Sequence, residues 1–249
     1  MRCIGPFACA LPPWVDLDVR GGGHRVIGHR GGEHLVHRAR SCWCGHPGRA
    51  GHLPGDVSAN PARGGGNRLI RTDRLLLRRW RDADRAPFAA LNAHPQVMEH
   101  MQGLMLREAS DAFIDRIEAH WSEHGWGLWA VEVPGVVPFI GYVGLWPAHY
   151  VTGDPMVEVG WRLAREYWGN GYVTEAAGEA LRFGFEVVGL EEIVSFTVPQ
   201  NERSWRVMQR IGLQRDVAGD FDHPRVDAVA YPHLVRHVFY RLRREDWER

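Results

Sequence analysis

The segment Tyr167-Trp168-Gly169-Asn170-Gly171-Tyr172-Val173-Thr174-Glu175-Ala176 is the most informative part of this chain. Its two glycines bracket a single residue, directly after an apolar strand pattern and directly before a long helical pattern. A turn of this kind leaves backbone N–H groups unpaired at the start of a helix and lets a ligand approach the backbone closely. The segment is therefore suited to bind the phosphate groups of a cofactor.

Regular patterns continue on both sides of this turn. Residues 156–163 alternate apolar and polar side chains and predict a strand. After the turn we expect a helix over about 174–188, a strand over 192–198, a helix over 201–211 that Gly212 stops, and a strand over 236–242.

The part of the chain before the turn also reads as regular structure. We expect a strand over 69–80, a helix over 82–92, a helix over 110–123, and strands over 126–133 and 139–146, which a Pro134-Gly135 turn joins as a hairpin. The order of strand, two helices, three strands, helix, strand, helix and one or two strands predicts a single α/β domain over residues 69–244.

Composition limits the function. The 249 residues carry a formal net charge of zero, which argues against nucleic acid as the main partner, and no apolar run is long enough for a membrane span. All 30 basic residues are Arg, so lysine chemistry is excluded. Residues 67–249 hold 22 Arg against 26 acidic residues, a balance that suits a cationic or amine substrate.

Residues 1–66 differ from the rest of the chain. They contain 14 of the 29 glycines and all four cysteines, without helical or strand periodicity. We expect a disordered extension, which a start codon assigned too early would also explain. A signal peptide ending at Ala8-Cys9-Ala10 is the alternative, but the apolar run before it is short and broken by Pro6. The rest of the chain contains no cysteine, which fits a cytoplasmic protein. The four cysteines of residues 1–66 do not have the spacing that is usual for a zinc site.

Five ordered motifs resemble the GCN5-related N-acetyltransferases, most closely the branch with the ribosomal-protein alanine acetyltransferases. The resemblance covers residues 69–244. Its motifs are Thr72-Asp73-Arg74-Leu75-Leu76-Leu77-Arg78, Ile140-Gly141-Tyr142-Val143-Gly144-Leu145, Glu158-Val159-Gly160-Trp161, the glycine turn, and Asn201-Glu202-Arg203-Ser204-Trp205 with Ile211-Gly212-Leu213.

The resemblance implies a fold and a cofactor. The fold would be a mixed, mostly antiparallel twisted sheet flanked by helices, with a splayed pair of parallel strands that holds acetyl-coenzyme A. The turn would bind the pyrophosphate of coenzyme A, and the strand before it would pair with the pantetheine arm. The residues implied in cofactor binding are Trp161, Arg162, Leu163, Trp168, Gly169, Asn170, Gly171, Tyr172, Val173, Thr174, Asn201 and Ser204.

Glu158 is our candidate for the base that takes the proton of the attacking amine, because it lies on the polar side of a strand just before the cofactor turn. A solvated carboxylate, or one paired with Arg162, is the structural alternative. His149 and Asp154 are lesser candidates.

Ser204 is our candidate beside the departing thiolate, since the resemblance places a hydroxyl there and residues 206–209 contain no Tyr. Asn201 would fix pantetheine, or would only cap its helix. Glu166 departs from the Gln or Arg that is common three residues before the first glycine, and its charge would repel a pyrophosphate unless it is turned away or paired.

The sequence leaves the acceptor open. A protein N-terminus, a small amine, an amino acid or an aminoglycoside would fit, with direct attack in a ternary complex and a monomer or homodimer as the assembly. A degenerate domain that binds acyl-coenzyme A as a sensor is the alternative. Asp220, Asp222 and His223 could meet a cationic acceptor or be turn residues. His120 and His124 are expected to form a pair on the surface. Five tryptophans could form either the core or the acceptor pocket: Trp121, Trp126, Trp129, Trp146 and Trp161.

Overall fold

A computed structural model describes residues 69–149, 151 and 155–247. The expectations for residues 1–66 and for Asp154 lie outside this range. The described chain builds one sheet in the order β1-β2-β3-β4-β5-β6-β9-β7, with β8 paired to β9. The strands are β1 (Ile70–Arg71), β2 (Leu76–Arg78), β3 (Leu128–Val133), β4 (Val137–Pro147), β5 (Val157–Leu163), β6 (Glu192–Thr197), β7 (Gln214–Arg215), β8 (Phe221–Asp222) and β9 (Arg236–Arg243).

Five α-helices accompany the sheet within the described residues. They are α1 (Arg85–Asn92), α2 (Arg107–His124), α3 (Tyr172–Phe183), α4 (Glu202–Arg210) and α5 (Arg244–Trp247). A π-helical turn, Gly184–Val188, continues α3. The predicted fold class is confirmed: β5 and β6 are parallel and all other paired strands are antiparallel.

The single opening strand that we expected over 69–80 is wrong. The chain turns back between β1 and β2, so that Ile70 lies opposite Leu77. The hydroxyl of Thr72 accepts a hydrogen bond from the N–H of Leu75 at 2.8 Å, and the N–H of Thr72 donates to the carbonyl of Leu75 at 3.0 Å. A threonine side chain that bonds to nearby backbone is a local turn signal, and it interrupts the strand.

The two faces of the sheet carry different helices. Tyr142 of β4 packs against Phe88 of α1 and Phe113 of α2, with ring centroids 6.0 Å apart in both pairs. Side chains alternate along a strand, so Leu145 projects from the opposite face. There it lies close to Gly184, directly after α3. The core therefore has an α1/α2 layer on one face and an α3 layer on the other.

The parallel strands β5 and β6 separate soon after they meet. Their pairing is limited to Glu158 opposite Val194, although β5 continues to Leu163 and β6 to Thr197. On its other side β6 stays paired with β9 from Glu192 to Thr197. A gap consequently opens through the sheet beyond Glu158, and it connects the two faces.

A buried ion-pair network fixes the start of the domain. The guanidinium of Arg78 donates two hydrogen bonds to Asp84, at 2.7 and 2.8 Å, and a third to Glu132 at 2.8 Å. Only 2% of the Arg78 side chain is exposed. Bidentate pairing and extra hydrogen bonds are what a charge needs in order to be buried, so this network ties β2 to the 3₁₀ turn before α1 and to β3.

Candidate active site

The gap between β5 and β6 is the waist of an open cleft of about 1000 Å³ that has walls on both faces of the sheet. We call its end beside the start of α3 the α3 mouth, and its end among Phe113, Tyr142, Trp146, Phe196 and His223 the α2 mouth. Both first-choice catalytic residues, Glu158 and Ser204, line this one cleft, as do all the residues implied in cofactor binding except Asn170.

The glycine turn forms the α3 mouth. Gly169 and Gly171 have φ angles of +79° and +78°, a left-handed conformation that glycine adopts without steric cost. Gly171 caps α3, which begins at Tyr172 rather than at the predicted Thr174. The backbone N–H groups of residues 169–174 find no acceptor among the described residues, and a side chain at position 169 would meet no protein atom within 4 Å. The turn therefore presents unpaired donors to open space at a helix N-terminus.

Two distant sequence motifs meet behind this turn. The carboxylate of Glu175 accepts hydrogen bonds from the hydroxyl of Thr72 at 2.5 Å and from the Arg74 side chain at 2.7 Å. Burial alone would raise the pKa of Glu175, but these hydrogen bonds outweigh it and lower the pKa below its usual value. Arg74 also donates to the carbonyl of Asn170 at 2.9 Å. Asn170, which does not line the cleft, thus helps to hold the turn in shape.

Trp168 is held between two cations. Its ring lies 4.9 Å from the guanidinium of Arg165 and 4.5 Å from that of Arg203, and its indole N–H donates to the carbonyl of Leu163 at 2.9 Å. Arg203 in turn pairs with Glu99 in the loop between α1 and α2, at 3.2 Å. These contacts join the turn to β5, α4 and the loop after α1.

Asn201 and Ser204 lie at the start of α4, on the other wall of the cleft. The Asn201 side chain accepts from the N–H of Ser204 at 3.3 Å and donates to the hydroxyl of Thr197 at 3.0 Å. Asn201 is therefore a helix cap, as in the structural alternative. The cap holds Ser204 in the cleft lining, where its hydroxyl has no hydrogen-bond partner among the described residues.

Trp161, Arg162 and Leu163 end β5 and line the cleft, but the Arg162 side chain is committed elsewhere. Its guanidinium donates to Asn92 at 2.6 Å and lies over the ring of Tyr142, on the α1/α2 face. Any role of Arg162 in holding pantetheine therefore belongs to its backbone. Among the described residues, neither a hydrogen bond nor an ion pair joins this guanidinium to Glu158, so the alternative of an Arg162–Glu158 pair is not supported.

Glu158 lies at the waist, where the strands begin to separate, on the same face as Tyr142 and Trp146. Its carboxylate is partly accessible from the cleft but otherwise enclosed by protein, and no hydrogen-bond or ion-pair partner for it occurs in the described residues. Burial raises its pKa from 4.5 to about 8, and the positive charge of Arg225 opposes that shift. Perturbation of this kind in a cleft is typical of functional carboxylates.

Other candidates fall outside the cleft. Glu166 is exposed and does not line the cleft, which is the case in which we expected no repulsion of a pyrophosphate. Asp220 pairs with Arg215 at 2.5 Å and Asp222 with Arg236 at 3.3 Å. His149 is exposed and away from the cleft.

The expectation that His120 and His124 form a surface pair is wrong for His120. The rings are 4.3 Å apart, but His120 also packs on Trp126 and Trp146, and burial lowers its pKa to about 3. Of the five tryptophans, Trp121 and Trp129 are core, Trp126 is partly buried against the core, and Trp146 and Trp161 line the cleft.

Several cleft residues were missed from the sequence. Arg203, Arg206 and Arg210 project into the cleft lining from α4. Their spacing of three and four residues is that of one helical face, and this signal could have identified them. His223, which the sequence offered as a candidate for meeting the acceptor, lies in the cleft lining with its ring 4.8 Å from that of His237. His237 was not identified, because no pattern in the sequence relates it to the other cleft residues.

Comparison with known proteins gives the class. Residues 74–214 match the model of the acetyltransferase (GNAT) domain. The chain is 32% identical over 143 residues to the uncharacterized protein YkkB of Bacillus subtilis, covering 57% of this chain and 83% of that protein. It is 35% identical over 97 residues to an Aspergillus fumigatus protein named FsC-acetyl coenzyme A-N(2)-transacetylase, covering 34% and 41%.

Solved structures agree with this match. An acetyltransferase from Agrobacterium tumefaciens has a TM-score of 0.57 and 27% identity, with 70% of this chain and 93% of that one covered. A ribosomal-protein-S5-alanine acetyltransferase from Vibrio fischeri has a TM-score of 0.56 at 15% identity, with 72% and 98% covered, which shows a shared fold.

The chain belongs to the GNAT acetyltransferase family, because the family model covers more than half of it. It is an acyltransferase, as the resemblance predicted, and members of this family generally use acetyl-coenzyme A. Among the described residues, no helix is both long and apolar enough to cross a membrane.

Proposed function

We propose that this protein is an N-acetyltransferase that moves an acetyl group from acetyl-coenzyme A to a primary amine by direct attack in a ternary complex. The observation that carries the proposal is the open cleft that passes through the sheet between β5 and β6. It offers unpaired backbone donors at one mouth and an enclosed carboxylate at its waist. Two substrates entering from opposite faces would meet at the waist.

The α3 mouth suits the pyrophosphate of coenzyme A. Free N–H groups and the α3 dipole favour a negative charge there, with the dipole contributing up to about 2 kcal/mol when partly buried. Arg206 and Arg210 border the same mouth and add positive charge. The pantetheine arm would then run along Trp161 to Leu163 towards the waist, pairing with backbone that β6 leaves free.

Glu158 suits the proton transfer. Only a neutral amine attacks a thioester, and an amine with a pKa of about 8 needs about 1.4 kcal/mol to lose its proton at pH 7, against about 4.6 kcal/mol for a lysine-like amine. A carboxylate whose pKa is about 8 accepts a proton from the first kind of amine with almost no free-energy cost. The free-energy cost of proton transfer to Glu158 therefore rises with the pKa of the amine.

Ser204 would serve the leaving thiolate. Its hydroxyl lies in the cleft wall opposite β5, positioned by the Asn201 cap. Residues 45–249 contain no cysteine, so no thiol in the domain can carry the acetyl group, which favours direct transfer. An N–H of β5 near Val159 to Trp161 would stabilise the oxyanion.

The experiment is to mix the protein with acetyl-coenzyme A and a panel of primary amines and to measure free thiol. Amine-dependent thiol release is expected, and it should fall at least about 100-fold in Glu158→Gln. Coenzyme A binding without turnover of any amine would instead favour the sensor alternative. The domain limits of 69–244, a cytoplasmic location and a monomeric or homodimeric assembly stay predictions.

A further inference from the structure

The α2 mouth of the cleft contains an unusual balance of charge and aromatic surface. Two carboxylates line the whole cleft within the described residues, Glu158 and Glu175. Glu175 is bound by Thr72 and Arg74 behind the α3 mouth. Among the described residues, Glu158 is consequently the one acidic side chain of the lining that an amine entering from the α2 mouth can meet.

The remaining charge at this mouth is positive or neutral. Arg162 is buried there with its guanidinium on Asn92, and the charge of Arg225 acts on Glu158. Burial lowers the pKa of His223 to about 4, and burial also lowers the pKa of His237, so both rings are neutral at pH 7. A second ammonium group in this mouth would lose its water and find no further carboxylate among the described lining residues, which is costly.

Aromatic rings form the two walls of the mouth. On the wall of β4 and α2, Phe113 contacts Tyr142 and Trp146 with ring centroids 6.0 and 6.3 Å apart. On the wall of β6 and β9, Phe196 contacts His223 and His237 at 6.1 and 6.0 Å. These edge-on contacts hold the rings in place before any substrate arrives. Such surfaces favour another aromatic ring between them.

We propose that the acceptor is a primary amine with a single positive charge and an aromatic ring, an aralkylamine. Its nitrogen lies at Glu158 and its ring lies between the walls formed by Trp146 and Phe196. The chemistry is amide formation: the nitrogen bonds to the acetyl carbon, the thiolate of coenzyme A leaves, and Glu158 takes the proton. The inference rests on the proposed function and narrows its acceptor from the classes that the sequence leaves open.

The test compares kcat/KM for four acceptors: 2-phenylethylamine, butylamine, 1,4-diaminobutane and a short peptide that begins with Ala. We expect 2-phenylethylamine to exceed butylamine by about tenfold and the diamine by about 100-fold. A preference for the diamine or the peptide would overturn the inference and leave the proposed function intact. Turnover of none of the four would overturn the inference, and thiol release with another amine of the wider panel would then show that the transferase proposal stands without it.

A variant with an added negative charge tests separately whether the charges at the α2 mouth select an acceptor with a single ammonium group. Gln96 is exposed at the α2 mouth, so Gln96→Glu adds a second carboxylate without disturbing the core. We expect the ratio of kcat/KM for 1,4-diaminobutane over 2-phenylethylamine to rise at least about tenfold. Gln214→Glu makes the same charge change on β7, outside the cleft, and should leave the ratio unchanged. Equal ratios in both variants would contradict the inference.

Discussion

Ionisation of Glu158 should lower the free energy of unfolding of the protein. The carboxyl group of Glu158 has a pKa of about 8 in the folded state, against 4.5 in its usual environment. Between these values the folded protein holds a proton that the unfolded chain has released. Folding stability therefore falls as the pH rises from 4.5 towards 8, and Glu158→Gln, which cannot ionise, should escape this loss.

The size of the effect follows from the two pKa values. At pH 7, ionisation of Glu158 favours the unfolded chain, because this pH lies about 2.5 units above the pKa of Glu158 in that state. The difference corresponds to a free energy of about 3.4 kcal/mol at most. Water in the cleft solvates part of the carboxylate and reduces this figure. We expect Glu158→Gln to be more stable than the wild type by about 2 kcal/mol at pH 7, with a smaller difference at pH 5 and a larger one at pH 8.

Urea denaturation at pH 5, 7 and 8 measures this difference. Glu166→Gln is the matched control, because Glu166 is an exposed carboxylate outside the cleft lining. The control should follow the wild type at every pH. If Glu158→Gln were equally stable or less stable at pH 8, the claim of an enclosed and unpaired carboxylate would be wrong.

Three further outcomes are expected. The pH profile of kcat/KM should rise with a midpoint near pH 8, as Glu158 loses its proton, and this limb should be absent in Glu158→Gln. Arg78→Met should lower the free energy of unfolding by about 3 to 5 kcal/mol in urea, because it leaves Asp84 as an unpaired buried charge; a loss under 1 kcal/mol would argue against the network. Ser204→Ala should lower kcat about 10- to 100-fold in steady-state assays without changing the Kd of acetyl-coenzyme A, and an unchanged kcat would remove Ser204 from the mechanism.

The local structure around the glycine turn could be predicted from the sequence. The glycine turn, the strand before it and the helix after it follow from spacing and composition alone. The strand bounds and the helix start lie within two residues of the expected positions, and the expected helix end at 188 is reached by α3 together with its π-helical turn. Thr72 was overlooked because Leu75-Leu76-Leu77 suggested one continuous strand, although a Thr-Asp pair commonly makes a turn. The short strands β7 and β8 were missed for another reason, since each consists of two residues that pair only because β9 lies beside them.

Properties that depend on the whole fold were beyond the sequence. The raised pKa of Glu158 comes from burial at a point where two strands separate, and no local pattern reports burial of that kind. The α2 mouth joins residues from α2, β4, β6 and β9 that are more than 100 positions apart. The slightly acidic composition suggested a cationic acceptor. Of the described acidic residues only Glu158 and Glu175 line the cleft, and composition could not have shown this, because net charge does not reveal which side chains face a cleft.

The central claim is that the backbone of residues 169–174 holds the diphosphate of coenzyme A, and calorimetry of coenzyme A binding to Gly169→Val tests it directly. Gly189→Val is the control, since Gly189 has a φ of +84° and open space around it like Gly169, but lies outside the cleft. Both variants carry the same backbone strain, about 1–2 kcal/mol. The account predicts a loss of affinity of at least about 100-fold for Gly169→Val and a wild-type Kd for Gly189→Val. Equal affinities in the two variants would contradict it.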